Sequence, residues 1–267
     1  MRTTILWIFA LAFTLALAFW QETTGPTYPI RGSAELAGVK VPFELLRSHG
    51  GDGDLPVQVK AAEPSITGEV MWRRWPTNDP FQLVPLKRQG SVLEAFLPHQ
   101  PPAGKVEFQV RLHKDAAEAV IPALPAVARF KGDVSPFVLV PHILMMFAGL
   151  LFAARAGLDA ALGRERMRSR ARTAFGLLLI GGMILGPIVQ RMAFGALWTG
   201  IPFGWDLTDN KTLIAVAAWI PSLWMMRKGV SARWLVLGAA LVTFIVFSIP
   251  HSTWGSQIDW SKMPPPK

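Results

Sequence analysis

Hydrophobic positions form long unbroken runs near both ends of the chain and alternate with polar positions in the stretch between them. The first run, residues 5–20, follows Met-Arg-Thr-Thr and has the layout of a signal peptide or a short membrane anchor. Residues 16–18, Ala-Leu-Ala, resemble a small-x-small cleavage site, so a cleaved signal and an uncleaved anchor both stay open. In either case, residues 1–21 direct the next segment out of the cytoplasm.

Residues 26–133 show short apolar runs separated by glycine-rich turns, which predict an extracytoplasmic antiparallel β-sandwich with Trp72 in its core. In residues 105–112 apolar and polar side chains alternate, as in a half-buried strand. Residues 88–90, Arg-Gln-Gly, predict a hairpin turn with Gly90 in the left-handed conformation. The layout, but no sequence signature, resembles immunoglobulin and fibronectin type III domains. The predicted strands are 27–36, 39–47, 55–61, 68–75, 81–87, 91–97, 105–113 and 126–131.

Residues 134–255 contain four longer apolar segments, which predict a four-helix transmembrane bundle. Basic side chains cluster in the short connections at 164–172 and 227–233, and such loops stay on the inner side of a membrane. This rule places the β-sandwich and the C-terminus on the extracytoplasmic side, and Arg2 ahead of the first run gives the same orientation. Residues 256–267 are expected to form a polar tail. The four predicted spans are 137–156, 173–193, 212–226 and 234–249.

Composition narrows the class of protein further. Hydrophobic residues make up 51% of the chain and the mean hydropathy is +0.32, which is too apolar for an ordinary soluble protein. The net charge of +9 could indicate a nucleic-acid partner, but much of the excess lies in the two short basic connections, so the lipid bilayer is the expected partner. Cysteine is absent, which excludes disulfides, thiolate metal sites and covalent heme attachment through CxxCH.

Residues 194–212, FGALWTGIPFGWDLTDNKT, connect the second and third predicted spans and are unusually rich in aromatic side chains for a loop. Trp198 and Trp205 accompany three glycines and a polar run. His142 at the outer end of the first span and His251 after the last one flank this loop on the same predicted side.

Neutral imidazole is a common axial ligand of heme iron, and flat aromatic surface suits a porphyrin. These residue types predict a heme site with His142 and His251 as iron ligands and with Trp198 and Trp205 as its shelf. Asp206, Lys211 and Arg191 are candidates to meet the propionates or to order the loop. Met145 and Met146, one turn beyond His142, are alternative ligands, although core packing is the favoured explanation for them.

Trp198, the run Gly204-Trp205-Asp206 and Thr208, flanked by His142 and His251, resemble the tryptophan-rich WWD loop of heme-handling membrane proteins of cytochrome c assembly. The resemblance covers residues 137–255 in order and predicted topology, but only about a dozen in sequence. It implies heme binding at the outer face and delivery of heme, or support of its attachment, to an apocytochrome. The chain departs from the family pattern WGxxWxWD, because residues 199–204 separate the two tryptophans. Its four core spans and its β domain are also unlike the family.

Simpler structural explanations exist for several of these residues. Tryptophans near span ends often form an aromatic belt, which we expect for Trp219, Trp224, Trp234 and Trp254. Thr208, Asp209 or Asn210 is expected to cap the helix that begins near residue 212, although oxygen ligation of a hard cation by Asp206, Asp209 and Asn210 is the alternative. Residues 49–54, His-Gly-Gly-Asp-Gly-Asp, predict an ordinary turn rather than a calcium loop.

Taken together, the sequence predicts a bacterial-type, multi-pass inner-membrane protein that binds heme at its outer face and acts in cytochrome c biogenesis or heme delivery. It is more readily understood as a binding protein than as an enzyme, since no hydrolase or nucleotide-binding motif occurs. The alternative is a non-catalytic accessory subunit of a membrane complex, with the β-sandwich binding an extracytoplasmic protein partner. A small transporter is a third class, for which Gln190 and Arg191 near a span end are the only indication.

Overall fold

The structure, a computed structural model, describes residues 3–251, 253–255 and 257–263. The chain divides into a helical unit, Met1–Pro26 with Val134–Ser256, and a β unit, Thr27–Asp133 with Gln257–Lys267. The tail after residue 256 is therefore grouped with the β unit, whereas the sequence suggested a separate segment. Arg2, on which one orientation argument rests, lies outside the described residues.

The described strands of the β unit form two five-stranded sheets in the orders β1-β2-β4-β8-β7 and β3-β10-β9-β5-β6. All pairs are antiparallel except β3 with β10, which is parallel. The predicted sandwich-like architecture is thus present, with one parallel pair that the sequence did not indicate. The strands are β1 Ile30–Leu36, β2 Val39–Leu45, β3 Ser48–Gly50, β4 Leu55–Lys60, β5 Thr67–Arg74, β6 Gln82–Pro85, β7 Lys87–Gln89, β8 Val92–Leu97, β9 Lys105–Lys114 and β10 Ala117–Lys131.

One apolar core joins the two sheets, and alternation along the strands supplies it. On β9 the side chains of Val106, Phe108 and Val110 are fully buried, and Trp72 of β5 lies beside them at 1% exposure. Burying one large apolar side chain contributes about 1.5–3 kcal/mol. The prediction that Trp72 is a core residue is confirmed. Gly90, at φ +62°, lies in the predicted hairpin between β7 and β8.

Two features of the β unit differ from the predicted strands. The predicted strand 81–87 is divided between the sheets, because β6 ends at Pro85 and β7 begins two residues later in the other sheet. Proline has no amide hydrogen with which to continue a ladder. The short strand β3 and the first half of β10 also lack a clear alternating pattern and were not predicted.

Among the described residues, three helices are long and apolar enough to cross a membrane: Thr3–Thr24, Pro136–Ala161 and Met167–Phe194. These helices suggest membrane association. The third is continuous but contains a π-helical segment, Leu179–Leu185. The helices are α1 Thr3–Thr24, α2 Pro136–Ala161, α3 Met167–Leu178, α4 Gly186–Phe194, α5 Leu207–Arg227 and α6 Arg233–Ser248.

Helix contacts define two ends of the helical unit. α2 and α6 are antiparallel, since Arg233 Nη2 at the start of α6 donates to the carbonyl of Ala161 at the end of α2 (2.7 Å). α1 runs along α6, because Phe13 packs edge-on against Phe244 at 4.8 Å. We call the end with the start of α2 and the end of α6 the His142 end, and the opposite end the Arg155 end.

The end of α1 reaches the His142 end as well, where Gln21 Nε2 donates to the carbonyl of Phe247. At the Arg155 end, Trp7 of α1 packs edge-on against Phe152 at 5.3 Å. The first helix therefore packs against both α2 and α6 along its length.

Helix packing overturns one assignment to the aromatic belt. Trp219 is fully buried and its Nε1 donates to Thr243 Oγ1 (3.1 Å), so it is a core residue and not a belt residue. Trp224, Trp234 and Trp254 are exposed, at 57%, 72% and 74%.

Candidate functional site

His142 lies in the second turn of α2, with its Nδ1 2.9 Å from the carbonyl oxygen of Gly181 in the π-helical segment. A carbonyl oxygen only accepts, so Nδ1 must carry the hydrogen and Nε2 of the neutral ring keeps its lone pair. No hydrogen bond from a described residue occupies Nε2. Short π-helical segments are frequent at functional sites, and here one supplies the carbonyl that orients an imidazole.

His251 has the opposite arrangement. Its Nδ1 lies 2.8 Å from Nζ of Lys211, and this Nζ also donates to the carbonyl of Ile249 (2.7 Å). An ammonium group only donates, so Nδ1 of His251 accepts and the ring hydrogen is on Nε2. Desolvation, followed by the electrostatic interactions with Lys211 and with His142, lowers the pKa of His251, while the carboxylate of Asp206 acts in the opposite direction. The residue nevertheless retains exposed surface. The imidazole is therefore neutral at pH 7, and the two histidines lie close enough to interact electrostatically.

Close backbone packing brings these two groups together. Gly182 of the π-helical segment faces Thr212 of α5, whose Cγ2 would lie 2.5 Å from a Cβ added at the glycine. Gly181, the partner of His142, and Lys211, the partner of His251, are the chain neighbours of these two residues. A larger residue at Gly182 would push the π-helical segment, which binds His142, away from the part of α5 that binds His251.

The loop between α4 and α5 begins at Gly195, which ends α4 in the left-handed conformation at φ +85°. It ends at Asp206, whose carboxylate accepts from the amides of Thr208 (2.8 Å) and Asp209 (3.4 Å) as the N-cap of α5. The predicted cap at Thr208, Asp209 or Asn210 is wrong because α5 begins at Leu207, one turn earlier than the apolar run.

The first turn of α5 holds the loop in place. Oδ2 of Asp209 accepts from the amides of Thr199 (2.6 Å) and Gly200 (3.0 Å) and from Gln190 Nε2 (3.1 Å). Oδ1 of the neighbouring Asn210 accepts from the amide of Ile201 (2.7 Å). Buried donors in a loop thus find acceptors on one helical turn, which fixes the loop's conformation.

Gly200 lies where this turn and the loop touch. A Cβ there would meet Asn210 Oδ1 and Asp209 Cβ, both at 2.7 Å, and Trp198 Cε2 at 3.2 Å. Only glycine therefore permits the observed approach of the loop to α5.

The fixed loop presents aromatic side chains outward. Phe203 and Trp205 are each 83% exposed, whereas Trp198 is half-buried and donates from Nε1 to the carbonyl of Ile201 (3.0 Å). Trp254, also exposed, joins this surface, since its carbonyl accepts from the amide of Leu207 (3.0 Å). This end of the helical unit combines exposed aromatic rings with two imidazoles.

The structure brings together most of the residues proposed from the sequence. His142, His251, Lys211 and the loop carrying Trp198 and Trp205 lie at the same end of the helical unit. The exceptions are the side chains with other partners, described next.

Asp206 faces its own helix as a cap, and Arg191 is exposed on α4. Met145 and Met146 pack against Gly181 and the π-helical segment, as expected for core residues. In the β unit, His49 lies on strand β3, and its Nε2 bonds to the carbonyl of Gly53 (2.8 Å) in the segment that follows. Among the described residues, no group of three or more histidines and carboxylates could hold a metal ion.

The sequence did not reveal how Asp209 and Gln190 organise the loop. Asp209 accepts from backbone amides about ten residues away, and Gln190 donates to the side chains of Thr199 and Asp209. A usable signal was the pair Gly181-Gly182 inside an apolar span, since small residues in such helices mark close packing.

Comparison of the chain with protein-family models, curated proteins and solved structures gives no match. The structure alone thus defines the class: a sandwich-like β unit joined to a helical unit with three potential membrane spans among its described residues. The immunoglobulin-like layout and the heme-handling resemblance stay predictions.

Proposed function

We propose that the protein spans the inner membrane and binds heme at the His142 end of its helical unit, in cytochrome c biogenesis or heme delivery. The observation that carries the proposal is the hydrogen bond that leaves the lone pair on Nε2 of His142, at the end of the helical unit where the aromatic loop is exposed. Heme, when bound, would supply an iron that an imidazole can coordinate and a planar ring edged with two carboxylates.

Residues at this end suit such a group in two respects. Hydrogen bonding of Nδ1 to the carbonyl of Gly181 orients the His142 ring, as backbone carbonyls commonly do for metal-binding histidines. Trp205 offers an open indole face, at 83% exposure, for contact with a macrocycle. His251 does not suit iron in its present hydrogen-bonding state, because its Nε2 carries the hydrogen.

Visible absorption tests the proposal. Hemin is added to the protein purified in mild detergent, and we expect a shifted Soret band that is weakened in His142→Ala. Trp205→Ala is expected to lower the affinity, whereas Trp234→Ala, an equally open indole at the Arg155 end, should leave it unchanged. A spectrum identical to free hemin, or equal effects of the two tryptophan changes, would reject a site at the His142 end.

The proposed orientation has α1, α2, the α3–α4 helix, α5 and α6 crossing the bilayer, with the β unit and the His142 end extracytoplasmic. The basic connections support it through the positive-inside rule. Because the chain has no cysteine, single-cysteine variants can be labelled without background. In intact spheroplasts an impermeant maleimide should label Ser91→Cys but not Lys228→Cys, and the reverse pattern would overturn the orientation.

An accessory subunit is the second candidate, and one feature of the β unit favours it. The sheet β1-β2-β4-β8 carries a surface cavity of about 380 Å³ lined by apolar and charged side chains, including Phe43, Leu46 and Arg31. Such a mixed surface suits a protein partner. Stable co-purification of a partner that is lost in Phe43→Glu, with no heme bound, would favour this function.

A further inference from the structure

We infer that His251 and Lys211 form an anion-binding pair, in which the Nε2–H of His251 donates a hydrogen bond to a carboxylate of the bound heme. His142 alone then ligates the iron. The inference rests on the proposed function for the identity of the ring. The hydrogen-bond directions from which it is argued involve only residues of the chain itself.

Lys211 is the first step. It is 1% exposed, and its ammonium is bonded to the carbonyl of Ile249 and to Nδ1 of His251. No ion pair between Lys211 and a carboxylate is found among the described residues, and the charge of Asp206 acts on Lys211 only from a longer distance. A buried cation that lacks a contacting anion is costly, so a nearby anion would be favourable.

The second step is the direction of the hydrogen bond to His251. A lysine ammonium has three donors and no acceptor, so Nδ1 of the ring must accept. The remaining nitrogen, Nε2, is then the donor of a ring that is polarised by the positive charge behind it. Since His251 is exposed whereas Lys211 is not, the imidazole carries the effect of the buried charge to the surface.

The third step is the choice of ligand. A nitrogen that carries a hydrogen cannot coordinate iron, but it binds a carboxylate well, and charge-assisted bonds of this type are stronger than neutral ones. His142 has the reverse tautomer, with its hydrogen directed to Gly181 and its lone pair on Nε2. Two histidines that look equivalent in the sequence therefore receive different tasks, iron for His142 and carboxylate for His251.

The hydrogen-bond directions can be tested without heme. In protein labelled with ¹⁵N-histidine, we expect the Nδ1–H tautomer for His142 and the Nε2–H tautomer for His251. Acetate, used as a carboxylate probe, should shift the His251 signals, and Lys211→Met should remove that response while leaving the His142 signals unchanged. An Nδ1–H tautomer at His251, or acetate shifts that survive Lys211→Met, would overturn the inference.

Heme binding gives the second test. The wild type should bind hemin about tenfold more tightly than hemin dimethyl ester, because the ester cannot accept a charge-assisted bond. In His251→Ala, this preference should vanish while the iron spin state is retained. A change from low spin to high spin in His251→Ala would make His251 an iron ligand and overturn the inference.

The two proposals fail in different ways. If the wild type binds neither form of hemin, the proposed function is wrong, and the anion-binding pair is then decided by the tautomer and acetate measurements alone. If hemin binds but esterification has no effect, the proposed function stands and the role given to His251 and Lys211 is wrong.

Discussion

Both ends of the helical unit bury a positive charge, but they neutralise it differently. At the Arg155 end, Arg155 and Arg170 share the carboxylate of Asp159, and the indole of Trp7 lies 5.4 and 5.3 Å from the two guanidinium groups. At the His142 end, Lys211 contacts a carbonyl and an imidazole. At the Arg155 end, all the charged groups of the cluster are buried. At the His142 end, the buried ammonium of Lys211 is hydrogen-bonded to an exposed side chain, His251.

The partners of a buried cation therefore decide whether it has a structural role or a binding role. A carboxylate shared by two arginines joins α2 to α3, and Trp7 adds α1 to the same cluster. A neutral imidazole leaves the charge of Lys211 available to an incoming anion. Variants that affect stability and binding separately test whether the two clusters differ in this way.

The largest expected effect is at the Arg155 end. Asp159→Asn removes the shared carboxylate and leaves two buried guanidinium groups without it, which should cost about 3–5 kcal/mol. The thermal midpoint in detergent measures the change, and Glu165→Gln, an exposed carboxylate in the adjoining turn, is the control. If Asp159→Asn unfolded at the wild-type temperature, the cluster would not be what holds these helices together.

The next effect concerns the loop. Asp209→Ala leaves the amides of Thr199 and Gly200 without their acceptor, at a cost of about 1–3 kcal/mol. Quenching of tryptophan fluorescence by acrylamide should increase as Trp198 loses its fixed position. Asp206→Asn is the matched control, because asparagine caps a helix about as well as aspartate. Equal quenching in the two variants would mean that Asp209 does not fix the loop.

An effect of similar size is expected from the close approach at Gly200. Gly200→Ala places a methyl group 2.7 Å from Asn210 Oδ1 and Asp209 Cβ, and overpacking of this kind costs about 1–3 kcal/mol. Gly176→Ala adds the same methyl group to α3, where nothing lies within 4 Å, so it should be neutral or slightly stabilising. Comparison of the two thermal midpoints tests the packing, and a tolerated Gly200→Ala would show that the loop is not confined.

The smallest effect comes from an ion pair of the β unit in which the Arg74 side chain is buried and the Asp79 side chain keeps 25% of its surface exposed. A hydrogen bond from Arg74 (2.8 Å) holds the pKa of Asp79 below its usual range. The pair's stabilisation is therefore present above the unfolded pKa of about 4 and is lost as pH falls through the lower folded value. The difference in thermal midpoint between wild type and Asp79→Asn should shrink on acidification, and a constant difference would contradict this coupling.

Particular residues show how far the sequence sufficed. Strand β9 could be predicted because its side chains simply alternate, and the hairpin at Gly90 because glycine tolerates positive φ. Trp219 could not be separated from the exposed tryptophans, because burial depends on which neighbouring helix covers an indole. The N-cap was misplaced because α5 begins in a polar run that continues the helix beyond the apolar segment.

Three features could be predicted from the sequence alone: the alternating positions that form a sheet, the long apolar runs that form helices, and the loop rich in tryptophan and glycine. Local propensity and hydrophobicity suffice for these, since each depends on neighbours within a few residues. The hydrogen-bond partners of the polar side chains, and hence their roles, depend on the tertiary structure. His142 meets a carbonyl from another helix and His251 meets a buried ammonium, so the position of each ring hydrogen depends on residues about forty positions away.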